Sequence, residues 1–164
     1  MSGNRYRPHV VVIPEDDANR QLANGFKNHW AVAQRNLVVQ PEAGGWRAVL
    51  DVFESDHVPS MRKNHSLIVV LLLDFDEKGE DRRSTCEERI PDDLKERVFL
   101  LGASDAPEDL KKAMKMTLEQ IGTALADDCN LALSDQWAQS HLAHNIPELQ
   151  RMTPIIRSIL FQDS

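Results

Sequence analysis

The sequence predicts an α/β fold, in which a mostly parallel four-stranded sheet carries helices on both faces and a helical extension follows at the C-terminus. Four short apolar runs have the length and composition of strands, and each is followed by polar or helical sequence. The third run, residues 67–73, is continuously apolar, which is typical of a strand buried on both faces at the centre of a parallel sheet. Strands that alternate with helices favour coverage of both sheet faces.

The first half of the chain supplies two strands and two helices. Residues 9–13 form a short β-branched run, and residues 19–32 then repeat apolar side chains every four positions, with Trp30 on the apolar face. Residues 36–40 predict the second strand. Residues 46–54 predict the helix that follows it.

A charged segment follows the third strand. Residues 74–96 are dominated by acidic and basic side chains, and we expect a long exposed loop that could contain one helical turn. Residues 97–101 are apolar again and predict the fourth strand.

The C-terminal third is predicted to be helical. Residues from 108 onward have helical periodicity, with a break expected near residues 127–130. A last helical region spans residues 135–161 and is expected to be interrupted at Pro147 and Pro154, because proline removes a backbone donor. This region is expected either to pack on the sheet or to form a dimer interface.

Composition excludes several protein classes. The chain has 164 residues, 19 Lys and Arg against 26 Asp and Glu, and a formal charge of −7, so disordered and fibrous classes are excluded. The longest apolar run is far shorter than the roughly twenty residues of a membrane helix, and no signal-peptide core is present. We therefore expect a cytoplasmic protein without a membrane partner. The two cysteines, Cys86 and Cys129, are expected to be free thiols.

Acidic residues follow the predicted strands at the points where they end. Glu15, Asp16 and Asp17 follow the first strand, and Asp74 and Asp76 follow the third. Because the carboxyl ends of parallel strands meet at one sheet edge, where ligands bind in doubly wound folds, these carboxylates are expected to converge. Carboxylate oxygens suit hard divalent cations, so the pattern predicts a Mg²⁺ or Mn²⁺ site. Helix capping and solubility are the competing explanation.

Three further residues are weaker candidates for contact with phosphate. Lys78 and Arg82 follow the acidic pair and could neutralise a phosphate group, although a solvated surface charge is the favoured explanation for either. Ser104 could bind phosphate at the start of the next helix, or simply cap that helix. The pair His141 and His144 has metal-ligand spacing but lacks a completing ligand, and we expect an ordinary helix-surface or packing role.

The order of these motifs resembles the Toprim domain, the catalytic unit of type IA and type II topoisomerases, bacterial primases and the overcoming-lysogenization-defect nucleases. That family has a glutamate after its first strand, a glycine-containing turn after the second and an Asp-x-Asp pair after the third. The corresponding residues here are Glu15, the Gly44-Gly45 turn, and Asp74 with Asp76. The resemblance spans residues 8–112 of a single domain comprising residues 1–164, and leaves residues 113–164 as a helical extension.

The resemblance implies a Rossmann-like Toprim-type fold and divalent-metal-dependent phosphodiester chemistry on nucleic acid, in a nuclease. Asp74 and Asp76 would hold one or two Mg²⁺ or Mn²⁺ ions, with Glu15 as a further ligand or the acid/base and Asp16 or Asp17 as helpers. Pro14 stands where the family has glycine, and the only tyrosine is Tyr6, so a topoisomerase is not implied. The acidic balance means that the metal and a local basic face would have to hold nucleic acid.

Two other functions are compatible with the same residues. In a receiver-like phosphoacceptor domain, Asp16 with Asp17, Asp74 and Ser104 would take the acidic and hydroxyl positions, but a fifth strand ending in Lys-Pro is missing. In a non-catalytic α/β interaction subunit, the acidic edge would only recruit a basic surface of a larger protein partner or a second copy.

Overall fold

A four-stranded sheet forms the centre of the molecule. The computed structural model describes residues 8–75, 79–104 and 107–161. The strands are β1 His9–Pro14, β2 Leu37–Val39, β3 Leu67–Leu72 and β4 Val98–Leu101. They lie in the order β2-β1-β3-β4, and every neighbouring pair is parallel. The predicted fold class is confirmed, with a sheet that is parallel throughout.

Helices follow or precede each strand in the described part of the chain. A five-residue π-helical segment, Phe53–His57, joins the second helix to the third, and a 3₁₀ segment, Asp92–Arg97, leads into β4. No helix among the described residues is long and apolar enough to cross a lipid bilayer. The α-helices are α1 Asp17–Lys27, α2 Trp46–Val52, α3 Val58–Lys63, α4 Gly79–Glu88, α5 Pro107–Met114, α6 Leu118–Leu131 and α7 Ile146–Leu160.

The sheet separates two apolar cores. Ile68 and Val70 of β3 pack into one core, together with buried side chains of α1, α6 and α7. Val69 and Leu71 of the same strand point to the opposite core, together with side chains of α2, α3 and α4. This alternation along one continuously apolar strand confirms that helices cover both faces of the sheet.

The prediction of a loop between β3 and β4 is wrong, because α4 occupies residues 79–88. Within residues 81–88 only Cys86 is buried, and the other side chains are partly or fully exposed. A helix that buries so little has almost no apolar periodicity, so its charged composition suggests a loop. Leu94, in the 3₁₀ segment, is buried and holds the end of this connection against the sheet.

The prediction that Trp30 lies on a helix core face is also wrong. Helix α1 ends at Lys27, and the Trp30 side chain is 85 % exposed. His29 is buried instead: its Nε2 lies 3.1 Å from Oδ1 of Asp127, and its Nδ1 accepts the N–H of Ala31 at 3.0 Å. The chain therefore turns around His29 and directs Trp30 outward.

The break in the C-terminal helices lies earlier than predicted. Lys115 adopts φ +56° just after α5, and Thr117 with Gln120 forms a capping box that starts α6. The predicted break at residues 127–130 lies inside α6. Asp128 accepts the backbone N–H groups of Gln136 and Trp137, at 2.7 and 3.3 Å, and so ties the next segment to this helix.

Helix α7 packs on the sheet and covers the free edge of β4. Glu148 Oε2 accepts the N–H of Leu100 at 2.8 Å, and Arg151 donates to the carbonyl of Val98 at 3.1 Å. Side chains of α7 therefore occupy backbone groups that a fifth strand would pair, and the described residues contain no such strand. Pro147 lies in the first turn, where proline is tolerated, and α7 continues through Pro154 rather than being interrupted there.

Candidate metal centre

Three carboxylates converge where β1 and β3 end. Glu15 and Asp16 follow β1 directly, and Asp74 lies two residues after β3. One oxygen from each of the three lies within 4.8 Å of the others. The two strands are neighbours in the sheet, and the chain order reverses between them. In doubly wound folds this reversal opens the crevice in which ligands bind.

Backbone hydrogen bonds fix two of these residues relative to each other. The N–H of Glu15 donates to the carbonyl of Leu72 at 2.9 Å, which extends the β1–β3 ladder by one step. The N–H of Asp74 donates to Oε1 of Glu15 at 2.8 Å. This second hydrogen bond holds the Glu15 carboxylate against the backbone of Asp74.

Asn19 joins the other pair of carboxylates and was not among the residues selected from the sequence. Its backbone N–H donates to Asp16 Oδ1 at 2.9 Å, so that Asp16 caps α1. Its side-chain Nδ2 donates to Asp16 Oδ1 at 2.9 Å and to Asp74 Oδ1 at 3.2 Å. The signal in the sequence was an asparagine in line with the apolar stripe of α1, three residues before Leu22.

The Asn19 amide also carries an unsatisfied oxygen. The residue is 1 % exposed, and its buried Oδ1 has no hydrogen-bond partner among the described residues. A buried amide oxygen without a partner is costly. The hard oxygen donors of the site are the three carboxylates, and Asn19 contributes the Nδ2 group that bridges Asp16 and Asp74.

The electrostatics of the site favour a cation. Burial and, after it, the neighbouring carboxylates of Asp16 and Glu15 together raise the pKa of Asp74 to about 7, against the opposing hydrogen bond from Asn19. Without a cation, one carboxyl group of the cluster tends to retain a proton near neutral pH. A divalent ion would relieve the repulsion, and oxygen ligands of this kind suit Mg²⁺ and Mn²⁺. The residues present fit the predicted cofactor.

A glycine turn supports the backbone of Glu15. The N–H groups of Gly44 and Gly45 both donate to the carbonyl oxygen of Glu15, at 3.0 and 3.2 Å. These glycines have φ of +96° and +139°, values that other residues rarely adopt. The turn matches the predicted glycine motif after β2 and places Trp46, the first residue of α2, beside the site.

A cationic and aromatic group borders the carboxylates. Arg82 Nη1 donates to the backbone carbonyl of Asp74. The guanidinium carbons of Arg82 and Arg47 each lie 5.1 Å from the centroid of the Trp46 ring. Arg82, a predicted site residue, therefore lies beside Asp74. Trp46 and Arg47, which were not predicted as site residues, lie next to it.

The other predicted site residues have different positions. Asp17 lies outside the trio, where its carboxylate binds Arg20 at 2.5 Å and Gln21 at 2.6 Å. Ser104 donates both its N–H and its Oγ–H to the carbonyl of His141, at 2.9 and 3.3 Å. Asp76 and Lys78 lie outside the described residues.

Comparison with known proteins gives no further relationship. No protein-family model, curated protein or solved structure matches this chain. His144, for which a helix-surface or packing role was expected, places its ring 5.6 Å from that of Phe75 in an edge arrangement.

Proposed function

We propose that this protein carries out divalent-metal-dependent phosphodiester chemistry on nucleic acid, as a Toprim-like nuclease. The observation that carries the proposal is the convergence of Glu15, Asp16 and Asp74 at the switch point between two parallel strands. Three acidic groups within 4.8 Å of one another, one with a pKa raised to about 7, form an arrangement that a divalent cation would stabilise.

Each residue has a distinct part in the proposed chemistry. Glu15, Asp16 and Asp74 would hold Mg²⁺ or Mn²⁺, and Asp76 remains a predicted ligand outside the described residues. Once bound, the ion supplies Lewis-acid polarisation of a phosphodiester. Asn19 holds Asp16 and Asp74 in register through its amide. Glu15 is the candidate proton acceptor or donor, and Arg82 contributes positive charge beside Asp74.

The resemblance to Toprim domains supports this assignment through the order of its parts. A glutamate follows β1, a glycine turn follows β2 and contacts that glutamate, and an aspartate follows β3. Pro14 is the main departure. It is buried and forms the last residue of β1, and its carbonyl accepts the N–H of Ala43 at 3.0 Å. The strand end is thus supported by backbone contacts without the family glycine.

Calorimetric titration with Mg²⁺ and Mn²⁺ tests the metal site. We expect wild type to bind, and we expect Asp74→Asn and Asp16→Asn to weaken binding at least tenfold, because each removes one charge from the oxygen cluster. Asp109→Asn is the matched control: it removes an exposed carboxylate from the first turn of α5, outside the trio. Binding that is unchanged in Asp74→Asn would overturn the proposed site.

A cleavage assay on the same samples tests the chemistry. Supercoiled plasmid and labelled oligonucleotides should be cut by wild type and Asp109→Asn with Mg²⁺ or Mn²⁺, and should survive Asp74→Asn. Metal binding without cleavage, combined with a response to beryllofluoride or acetyl phosphate, would instead identify a receiver-like phosphoacceptor. Absence of carboxylate-dependent metal binding at millimolar metal would leave a non-catalytic interaction subunit.

A further inference from the structure

A stack of two guanidinium groups and one indole ring extends from the carboxylate cluster. Arg82 is anchored to the cluster by its hydrogen bond to the Asp74 carbonyl. Its guanidinium carbon lies 5.1 Å from the Trp46 ring centroid, and that of Arg47 lies at the same distance. The two positive groups are therefore no more than twice this distance apart, and cation–π attraction orients both against the ring.

The position of Trp46 in this stack is set by the fold. The Gly44-Gly45 turn donates two N–H groups to the Glu15 carbonyl, and Trp46 follows as the first residue of α2. The carboxylates and the stack thus share Glu15 and Asp74 as their points of attachment.

Arg47 is available for an external ligand. Its side chain is exposed, and it makes no hydrogen bond or ion pair with the residues that the structure describes. By contrast, Arg20 nearby is occupied by Asp17 and Glu42, and Arg89 by Asp51 and Glu54. A cation left unpaired on a chain with a formal charge of −7 marks a place where a polyanion would be attracted rather than repelled.

We propose that Arg47, Trp46 and Arg82 form a binding surface for single-stranded nucleic acid. The guanidinium groups would contact phosphates of the backbone, and an unstacked base would stack on the exposed plane of Arg47 or on the indole. The bases of duplex nucleic acid stay stacked inside the helix, so a duplex would bind this surface only through its phosphate charges. The role of this surface in delivering a phosphodiester to the carboxylates rests on the function proposed above.

Fluorescence anisotropy with labelled oligonucleotides tests the surface without any catalytic readout. Single-stranded DNA, single-stranded RNA and a duplex are titrated in EDTA, so that no cleavage competes with binding. We expect a single strand to bind more tightly than the duplex, and the two single-stranded arms distinguish DNA from RNA. Trp46→Leu should weaken single-strand binding about tenfold, the equivalent of about 1.4 kcal/mol for one stacked base.

Substitutions of Arg47 give the more specific test, because this side chain is exposed and not required for packing. Arg47→Gln should reduce the slope of log affinity against log salt by about 0.7, the value for one phosphate contact with a single strand. Arg47→Lys should keep that slope and lose affinity, because lysine keeps the charge without the planar group. Lys63→Gln is the control, since it removes an exposed charge at the end of α3, which precedes the start of β3, whereas the carboxylates follow the strand ends.

The outcomes separate this inference from the proposed function. Equal binding by wild type, Trp46→Leu and Arg47→Gln, an equal loss in Lys63→Gln, or tighter binding of the duplex would overturn the inference. If oligonucleotide binding depends on Arg47 while wild type shows no divalent binding, the surface stands and the metal-dependent function fails. If wild type binds metal and cleaves while single-strand binding is unchanged in Arg47→Gln, the function stands and the surface fails.

Discussion

Asn145 and Gly102 exchange two hydrogen bonds at the end of the last strand. The N–H of Gly102 donates to Asn145 Oδ1 at 3.1 Å, and Asn145 Nδ2 donates to the carbonyl of Gly102 at 2.9 Å and to that of Leu142 at 3.0 Å. A primary amide presents the same donor and acceptor as a peptide group. Asn145 therefore satisfies the backbone just beyond β4 as a neighbouring strand would.

Replacement of Asn145 by alanine should destabilise the protein strongly. The residue is fully buried, and its loss would leave buried backbone groups of Gly102 without partners. We expect a decrease of about 2–4 kcal/mol in the free energy of unfolding, measured by urea denaturation. Asn28→Ala, at an exposed position after α1, should change it by less than about 0.5 kcal/mol. Similar effects of the two substitutions would contradict this account of the edge.

The sheet was predictable because its strands are the most apolar segments of the chain. Burial on both faces demands continuous apolar runs, and residues 67–73 meet that demand without relying on any distant contact. Helix α4 was missed because it buries little beyond Cys86. Trp30 was misplaced because α1 ends at Lys27 and His29 is buried instead, beside Asp127, which is distant in the sequence.

The carboxylates of the candidate site were predictable for a topological reason. Parallel strands deliver the residues that follow them to one edge, so Glu15 and Asp74 had to lie near each other once their strands were recognised. Asn19 and Arg47 were not predictable in the same way. Their roles depend on side-chain contacts, with Asp74 for Asn19 and with Trp46 for Arg47, that strand order does not determine.

The raised pKa of Asp74 makes metal-free stability depend on pH. Because the folded-state pKa, about 7, lies above the ordinary value of 3.8, folding favours the protonated form and stability falls as pH rises from about 4 through 7. Asp74→Asn removes this penalty and keeps an acceptor for Asn19. In EDTA we expect the variant to be more stable than wild type by about 1–2 kcal/mol at pH 8, allowing for partial solvent screening, and nearly equal at pH 4.

Urea denaturation of both proteins across this pH range measures the difference directly. Asp109→Asn, an exposed change on α5, should show no such pH-dependent gain. A stability difference between Asp74→Asn and wild type that does not grow with pH would mean that Asp74 has an ordinary pKa in the folded protein.

Helices α1 and α6 approach each other through two glycines. A Cβ atom on Gly122 would lie 2.0 Å from the carbonyl oxygen of Leu22, and one on Gly25 would lie 2.1 Å from that of Glu119. Backbone atoms cannot move aside cheaply, so Gly122→Ala should lower the melting temperature and cost about 2–4 kcal/mol. Ser84→Ala, an exposed change on α4, should be neutral. A neutral Gly122→Ala would show that the helices pack further apart.

The two cysteines should be unreactive in the folded protein. Both are free, as the sequence predicted, and both are buried; burial raises the pKa of Cys86 to about 11 and that of Cys129 to about 12. Since the thiolate is the reactive species, a disulfide reagent at pH 8 should modify neither thiol in native protein and both in urea. Cys86→Ser and Cys129→Ser assign each signal. Rapid native modification that disappears in Cys86→Ser would show that α4 opens from the sheet, because Cys86 anchors that helix.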